Sequence, residues 1–291
     1  MGLLISVIVS GIALGLVIGL LAFILVFLVK TTGVANFAIG NIGMFETFVV
    51  YEIYRSGLPI WPAVLFGLVF SAIFGAALYL VVLRPFSRGQ SNNTLVRTVA
   101  LYLLLAAAAD VFFGQNQPYT FPSLLPKGGI DLGSSVLAYK DLITVGIILV
   151  IAGAFAAMFR FTRVGLHFQA VAQRAPVAQL LGIRVNVLSM IAYVFAGILA
   201  LVIGLLVAPQ QLLYSQMMDP ILLYGFAAAV LGGLTSLVGT FVGGVIIGVA
   251  SNLVSTYLGG DLALASALII LLITLAVRPN GLFGQSQVTR L

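Results

Sequence analysis

The sequence predicts an all-α, polytopic integral membrane protein with about eight to ten transmembrane helices, some of them short or glycine-interrupted. Three observations carry this. Hydrophobic residues make up 62% of the 291 residues, and the mean hydropathy is +1.23. Only 7% of residues are charged, whereas a soluble domain carries about 25%, so polar groups cannot cover a globular surface and lipid must be the solvent. Finally, the apolar residues fall into runs of the roughly 20 residues that a helix needs to cross a bilayer core about 30 Å thick.

Taken in order, the candidate spans are 3–29, 36–54, 60–83, 95–113, 141–159, 186–208, 221–236, 238–257 and 262–277. The first run, Leu3–Val29, has no basic stretch before it and no clear cleavage site. It is also too long for a signal-peptide core, so it reads as a retained helix. The second is entered through TTGVANFAIGN, crowded with Gly33, Asn36, Gly40, Asn41 and Gly43, and carries Glu46 within it. Between the fourth and fifth spans lies an outer loop, 114–140, broken by Pro118, Pro122, Pro126 and several glycines. Turns and a short hairpin are expected there. The seventh and eighth spans are nearly continuous, which leaves the total open between eight and ten. The whole chain, 1–291, reads as a single transmembrane domain.

Charge placement orients the map. With the N-terminus outside and nine alternating spans, the inner side receives Lys30, Arg84, Arg88, Arg97, Arg160, Arg163, Arg174, Arg184, Arg278 and Arg290, ten of the thirteen basic residues. None of the seven acids falls in an inner loop: Glu52, Asp110, Asp131, Asp141, Asp219 and Asp261 lie at or near the outer side, and Glu46 lies inside a span. This is the positive-inside bias. It makes the 160–185 loop and the C-terminus cytoplasmic.

The same inventory excludes several function classes. There is no cysteine and only one histidine, His167, so thiolate or multi-histidine metal sites are not expected. No phosphate loop, dinucleotide fingerprint or Ser/His/Asp set is present. The chain is not expected to be an enzyme or to bind a cofactor or metal itself. The net charge of +6 resides in short inter-span loops, so topology explains it better than nucleic acid.

Two segments disturb otherwise regular spans: residues 31–43, and 225–248 with Gly232, Gly233, Gly239, Gly243, Gly244 and Gly248 around Thr235 and Ser236. Glycines let membrane helices approach closely. They also permit interrupted helices that line a path, and a pair of such segments in the two halves of a chain points to a binding site. Asn36, Gly40, Asn41, Glu46, Gly232, Gly233, Thr235 and Ser236 are therefore the candidate pathway residues. A carboxylate at mid-depth is costly, so Glu46 is either a recognition group for a solute ammonium or amide, or a hydrogen-bonded structural acid. Glu52 and Arg55 read as an interfacial ion pair. Asp110 sits near the outer end of the fourth span.

The cytoplasmic stretch TRVGLHFQAVAQRAPVAQLLGI, residues 162–183, is polar and basic in an otherwise apolar chain. Pro176 marks the first turn of a short helix, since proline lacks the donor that a first-turn position leaves unused. Val177, Leu180 and Leu181 give one apolar face, Gln173, Arg174 and Gln179 a polar one, and Gly182 ends the helix. Such a helix either lies in the lipid headgroups or docks in a groove of a soluble partner.

This stretch resembles the cytoplasmic coupling motif of ABC transporter permeases of the branched-chain amino acid (leucine/isoleucine/valine) type, with Thr162, Gly165, Ala170 or Ala172, Ala178, Gly182 and Ile183 at its landmarks. Four further segments resemble that family in order: Asn36-Phe37-Ala38 with Gly40; Leu83-Arg84-Pro85; Ala229-Val230-Leu231-Gly232-Gly233; and Arg278-Pro279-Asn280-Gly281-Leu282-Phe283-Gly284. The chain departs from the pattern at Ile39, Asn41, Glu46, Phe168, Gln169 and Gln173. The resemblance implies the permease subunit of an ABC importer in a bacterial or archaeal cytoplasmic membrane, moving a branched-chain or other hydrophobic amino acid, or else an amide-like or urea-like solute. It further implies two ATPase subunits that carry ATP and Mg, a second, homologous permease subunit and an extracytoplasmic binding protein. Thr162, Gly165, Arg174, Pro176, Ala178, Leu181 and Gly182 would form the ATPase-docking element. The alternative is a proton-coupled secondary transporter with Glu46 or Asp110 as proton carrier.

Overall fold

The computed structural model describes residues 2–83, 91–114, 118–131 and 136–284. Arg84, Arg88 and Arg290 of the predicted inner-side set, and Pro85 of the Leu83-Arg84-Pro85 motif, lie outside the described residues. Ten helices are present among the described residues: α1 (Gly2–Thr32), α2 (Ile39–Arg55), α3 (Ile60–Leu78, prolonged by a π-helical turn, Tyr79–Leu83), α4 (Ser91–Phe113), α5 (Tyr139–Phe161), α6 (Arg163–Leu180), α7 (Val185–Gln211), α8 (Asp219–Gly232), α9 (Leu237–Tyr257) and α10 (Leu262–Val277). The expected hairpin in the outer loop is the antiparallel pair β1 (Gly129–Asp131) and β2 (Val136–Ala138).

Among the described residues six helical segments are long and apolar enough to cross a membrane: α1, α3 through Val82, α4 from Leu95, α5, α7 and α9. The remaining predicted spans, α2, α8 and α10, have 17, 14 and 16 residues. At 1.5 Å per residue α8 is only about 21 Å long, short of a bilayer core of about 30 Å.

Contacts divide the chain into two compact units. One comprises Met1–Val26, Leu125–Ala152 and Pro220–Leu291; the other Phe27–Leu124 and Gly153–Asp219.

In the first unit, α9 lies against α1 through facing glycines. A Cβ on Gly244 would meet the backbone of Gly15 and Gly19, and one on Gly248 that of Gly11 and Gly15. On its other side α9 packs against α8, where Gly243 faces the Ala228 carbonyl and Gly232 and Gly239 face each other. Lipid supplies no hydrophobic drive for association, so this close approach and its van der Waals contact hold the helices together. Polar links add to it: Asn252 Nδ2 donates to the Val7 carbonyl at 2.6 Å, and Ser10 Oγ donates to Asp141 at 2.5 Å.

The turn between α8 and α9 is closed by a distant segment. Gly233 adopts φ +99° and Gly281 φ +77°, and a Cβ on either would meet the other's part of the backbone. Leu282 N donates to Leu231 O at 2.8 Å and Phe283 N to Gly232 O at 3.2 Å. The Ala229–Gly233 and Arg278–Gly284 motifs thus form one clamp. Replacing Gly233 by Ala is expected to lower thermal stability by about 1–3 kcal/mol, because it combines a left-handed φ with overpacking. A melting curve unchanged from the parent would refute the clamp.

The second unit is built on α7, whose inward face carries Gly197, Gly204 and small or aliphatic residues between them. Gly43 of α2 approaches the Ala200 carbonyl, Gly204 approaches Thr47, and Gly75 of α3 approaches the Tyr193 carbonyl. Phe48 of α2 stacks on Phe113 of α4 with ring centroids 4.8 Å apart. The ion pair expected between Arg55 and Glu52 is present at 3.4 Å on the exposed end of α2.

Candidate functional site

The residues singled out from sequence fall in three places. The first is the start of α2 and its contact with α3 and α7. Asn36 is fully buried in the link before α2, where its Oδ1 accepts from Ala38 N at 2.9 Å and its Nδ2 has no partner. Gly40 and Gly43 lie inside an unbroken α2, so these glycines do not interrupt a helix as expected. Gly43 instead admits the backbone of α7. Asn41 is buried, and its Nδ2 donates to the Tyr102 carbonyl of α4 at 2.8 Å.

Glu46 is fully buried between α2, α3 and α7. Ser71 Oγ donates to its Oε1 at 2.9 Å, and its Oε2 has no partner. Gly197 of α7 leaves the room: a Cβ there would stand 3.2 Å from Glu46 Oε1. Asp110, by contrast, is exposed on α4. The surroundings of Glu46 fit a hydrogen-bonded acid held in a helix junction. Glu46→Gln preserves an acceptor for Ser71 and is expected to leave solute uptake within about twofold of the parent. A selective loss of uptake driven by a pH gradient would make Glu46 the proton carrier instead.

The second place is the α8–α9 turn, where Gly232, Gly233, Thr235 and Ser236 were expected to line a path through an interrupted helix. Gly232 and Gly233 are buried in the clamp formed with Arg278–Gly284, and Ser236 caps α9 by accepting from Gly239 N at 3.0 Å. Thr235 is exposed in the turn. Close backbone approach and a helix start account for these residues, in place of an unwound segment within a span.

The third place is the corner between α5 and α7, which the charge map predicts to be cytoplasmic. Thr162 accepts from Gly165 N at 3.1 Å, capping α6, and donates to the Met158 carbonyl at 2.7 Å. Gly165 is pressed on the backbone of Met158 and Phe159. Phe168 is buried against Phe27 and Phe159, with centroids 5.1 and 6.3 Å apart, and Gln169 Nε2 donates to the Phe159 carbonyl at 2.8 Å.

The helix breaks at Arg174 (φ −154°, ψ 94°) and resumes through Pro176 in its first turn, before Gly182 (φ +84°) ends the segment. The predicted short helix from Pro176 is therefore preceded by a helical turn sequence from Arg163 that sequence reading missed. Gly165 and Ala178 are buried in their own chain. They shape the corner. Thr162, Arg174, Pro176, Leu181 and Gly182 are exposed. The anchoring residues Phe168 and Gln169 were not foreseen as functional. Their signal was an aromatic and an amide where the resembled motif is more charged.

Among the described residues no group of three or more His, Asp or Glu side chains could hold a metal ion.

The profile of a family described as "Branched-chain amino acid transport system / permease component" matches residues 7–277. The high-affinity branched-chain amino acid transport system permease protein BraD of Pseudomonas aeruginosa is 23% identical over 272 residues, covering 89% of this chain and 88% of that protein. The corresponding LivH of Salmonella typhimurium is 26% identical over 278 residues, with the same shares covered. Among solved structures, PsaBC from Streptococcus pneumoniae in complex with Fab is similar at a TM-score of 0.49 and 15% identity, covering 93% of this chain and 91% of that one.

Proposed function

Because the chain belongs to the family of branched-chain amino acid transport system permease components, and is thus a multi-pass membrane permease, we propose that its solute is a branched-chain or similar hydrophobic amino acid. It works in the cytoplasmic membrane with its C-terminus inside, beside a second permease subunit. An extracytoplasmic binding protein delivers the solute. Two ATPase subunits bind ATP and Mg and hydrolyse the nucleotide. This chain supplies the path and converts their closure into alternating access.

One observation carries the coupling role. The tip of α6 presents Leu180 at 88% and Leu181 at 76% exposure. Arg174 and Arg184 flank them, and the element is fixed to the membrane bundle by buried Phe168. Exposed apolar residues at a polar-rimmed surface mark an interaction site, and a helix in a groove is a recurrent way to fill one. A rigidly anchored element can pass a push from a docked ATPase to α5 and α7, which it joins.

Co-purification from native membrane, with identification of the attached chains and bound solute, tests the reading. Two ATPases, a second permease and ATP-dependent uptake of leucine are expected. Uptake by the lone chain, driven by a pH gradient with no ATPase, would overturn it.

A further inference from the structure

Asp219 is one of the acids that the charge map places at or near the outer side. It opens α8, whose 14 residues make a helix of about 21 Å, shorter than the bilayer core. The chain leading to it packs into the protein: Leu213, Ser215, Met217 and Met218 are all buried. Asp219 is half-buried. Its carboxylate is hydrogen-bonded by the Tyr102 side chain, while its Oδ1 is buried with no partner.

The same Tyr102 accepts from Asn41 through its backbone carbonyl, and Asn41 Oδ1, on a residue 1% exposed, also has no partner. Tyr102 therefore ties together two side chains that each leave an acceptor unanswered. Buried polar atoms are nearly always paired, and an exception asks for an explanation. An ionisable residue at membrane depth is a functional candidate by default. Two open acceptors, one of them acidic, call for a cationic group with several N–H donors. A primary ammonium has three, and no carbonyl or carboxylate ligand would satisfy them.

We propose that Asp219 and Asn41, bridged by Tyr102, receive the ammonium group of the amino acid inside the permease. This rests on the amino acid reading of the solute given above. Selection by the binding protein would precede this step, so the site acts on passage: it holds the charged end of an otherwise apolar solute while the path reorients.

The test uses the complete importer in proteoliposomes, with radiolabelled L-leucine uptake and ATP hydrolysis measured together. Asp219→Asn is expected to lower maximal uptake about tenfold or more, as for loss of a charge-assisted hydrogen bond. Binding protein at half-saturation and ATP hydrolysis should stay near parental, so more ATP is consumed per leucine. Asp219→Glu should recover most of the uptake, and Asn41→Ala should show a smaller loss of the same kind. Tyr102→Phe keeps both acceptors and should transport better than Asp219→Asn. Parental uptake in Asp219→Asn overturns the inference alone. So does an equal loss in Asp219→Asn and Tyr102→Phe accompanied by reduced complex yield, which would make the pair a structural bond. A parent importer that carries no leucine overturns the amino acid reading and this inference with it.

Discussion

Replacing Leu181 by Glu is expected to strip the ATPases from the purified permease complex, weakening their association by about 30-fold or more. Leu181 is 76% exposed at the tip of α6 and Leu180 beside it 88%, so the substitution disturbs nothing within the chain. A carboxylate driven into an apolar pocket of a partner costs at least about 2 kcal/mol, the scale of a central interface residue. Leu181→Met keeps the volume and apolar character and should retain the complex. Membrane insertion and the melting curve of the permease should be the same for both variants. Full ATPase retention by Leu181→Glu would show that α6 rests on lipid headgroups, and the coupling role would pass to another cytoplasmic element.

The second large effect concerns glycine. Gly43→Leu and Gly244→Leu are each expected to destabilise the permease by about 3 kcal/mol or more, since the added atoms meet backbone that cannot move aside. For Gly43 the obstacle is the Ala200 carbonyl; for Gly244 it is Gly15 and Gly19. Gly146 and Gly153 on α5 have nothing within 4 Å of a Cβ position. Gly146→Ala is expected to be neutral or to gain up to about 1 kcal/mol from helix propensity. Thermal unfolding in detergent, followed by loss of monodisperse protein, separates the two groups. If Gly146→Ala fell as far as Gly43→Leu, glycine would be acting through backbone freedom and not through helix contact.

Much of the helix map was legible because lipid leaves a chain few options. Every backbone group in the bilayer core needs an internal partner, so long apolar runs such as 3–29 and 186–208 had to be helices, as α1 and α7 are. The cytoplasmic helix was half legible. Pro176 and Gly182 punctuate its second part, but residues from Arg163 carry no sustained apolar stripe. Their helix depends on the Thr162 cap and on Phe168 finding Phe27, a residue far away in sequence.

The glycines and polar residues were harder. A glycine in a membrane helix has the same spelling whether it marks a break or a contact, and the distinction lies in what faces it. Gly232 and Gly233 look like a break until Arg278–Gly284 is folded onto them. Glu46 stood out as costly, yet Ser71, which answers it, sits on another helix. Asp219 was read only as an outer-side acid, because position along the chain does not say which side chains it meets.

The clamp over the α8–α9 turn has a bearing on biogenesis. Leu231 and Gly232 offer carbonyls that accept from Leu282 and Phe283, which leave the ribosome after both helices of that hairpin have been delivered to the insertion machinery. A nascent permease therefore waits in the membrane with that bend unsealed, and a chain terminated ahead of Arg278 would present quality-control proteases with the open seam.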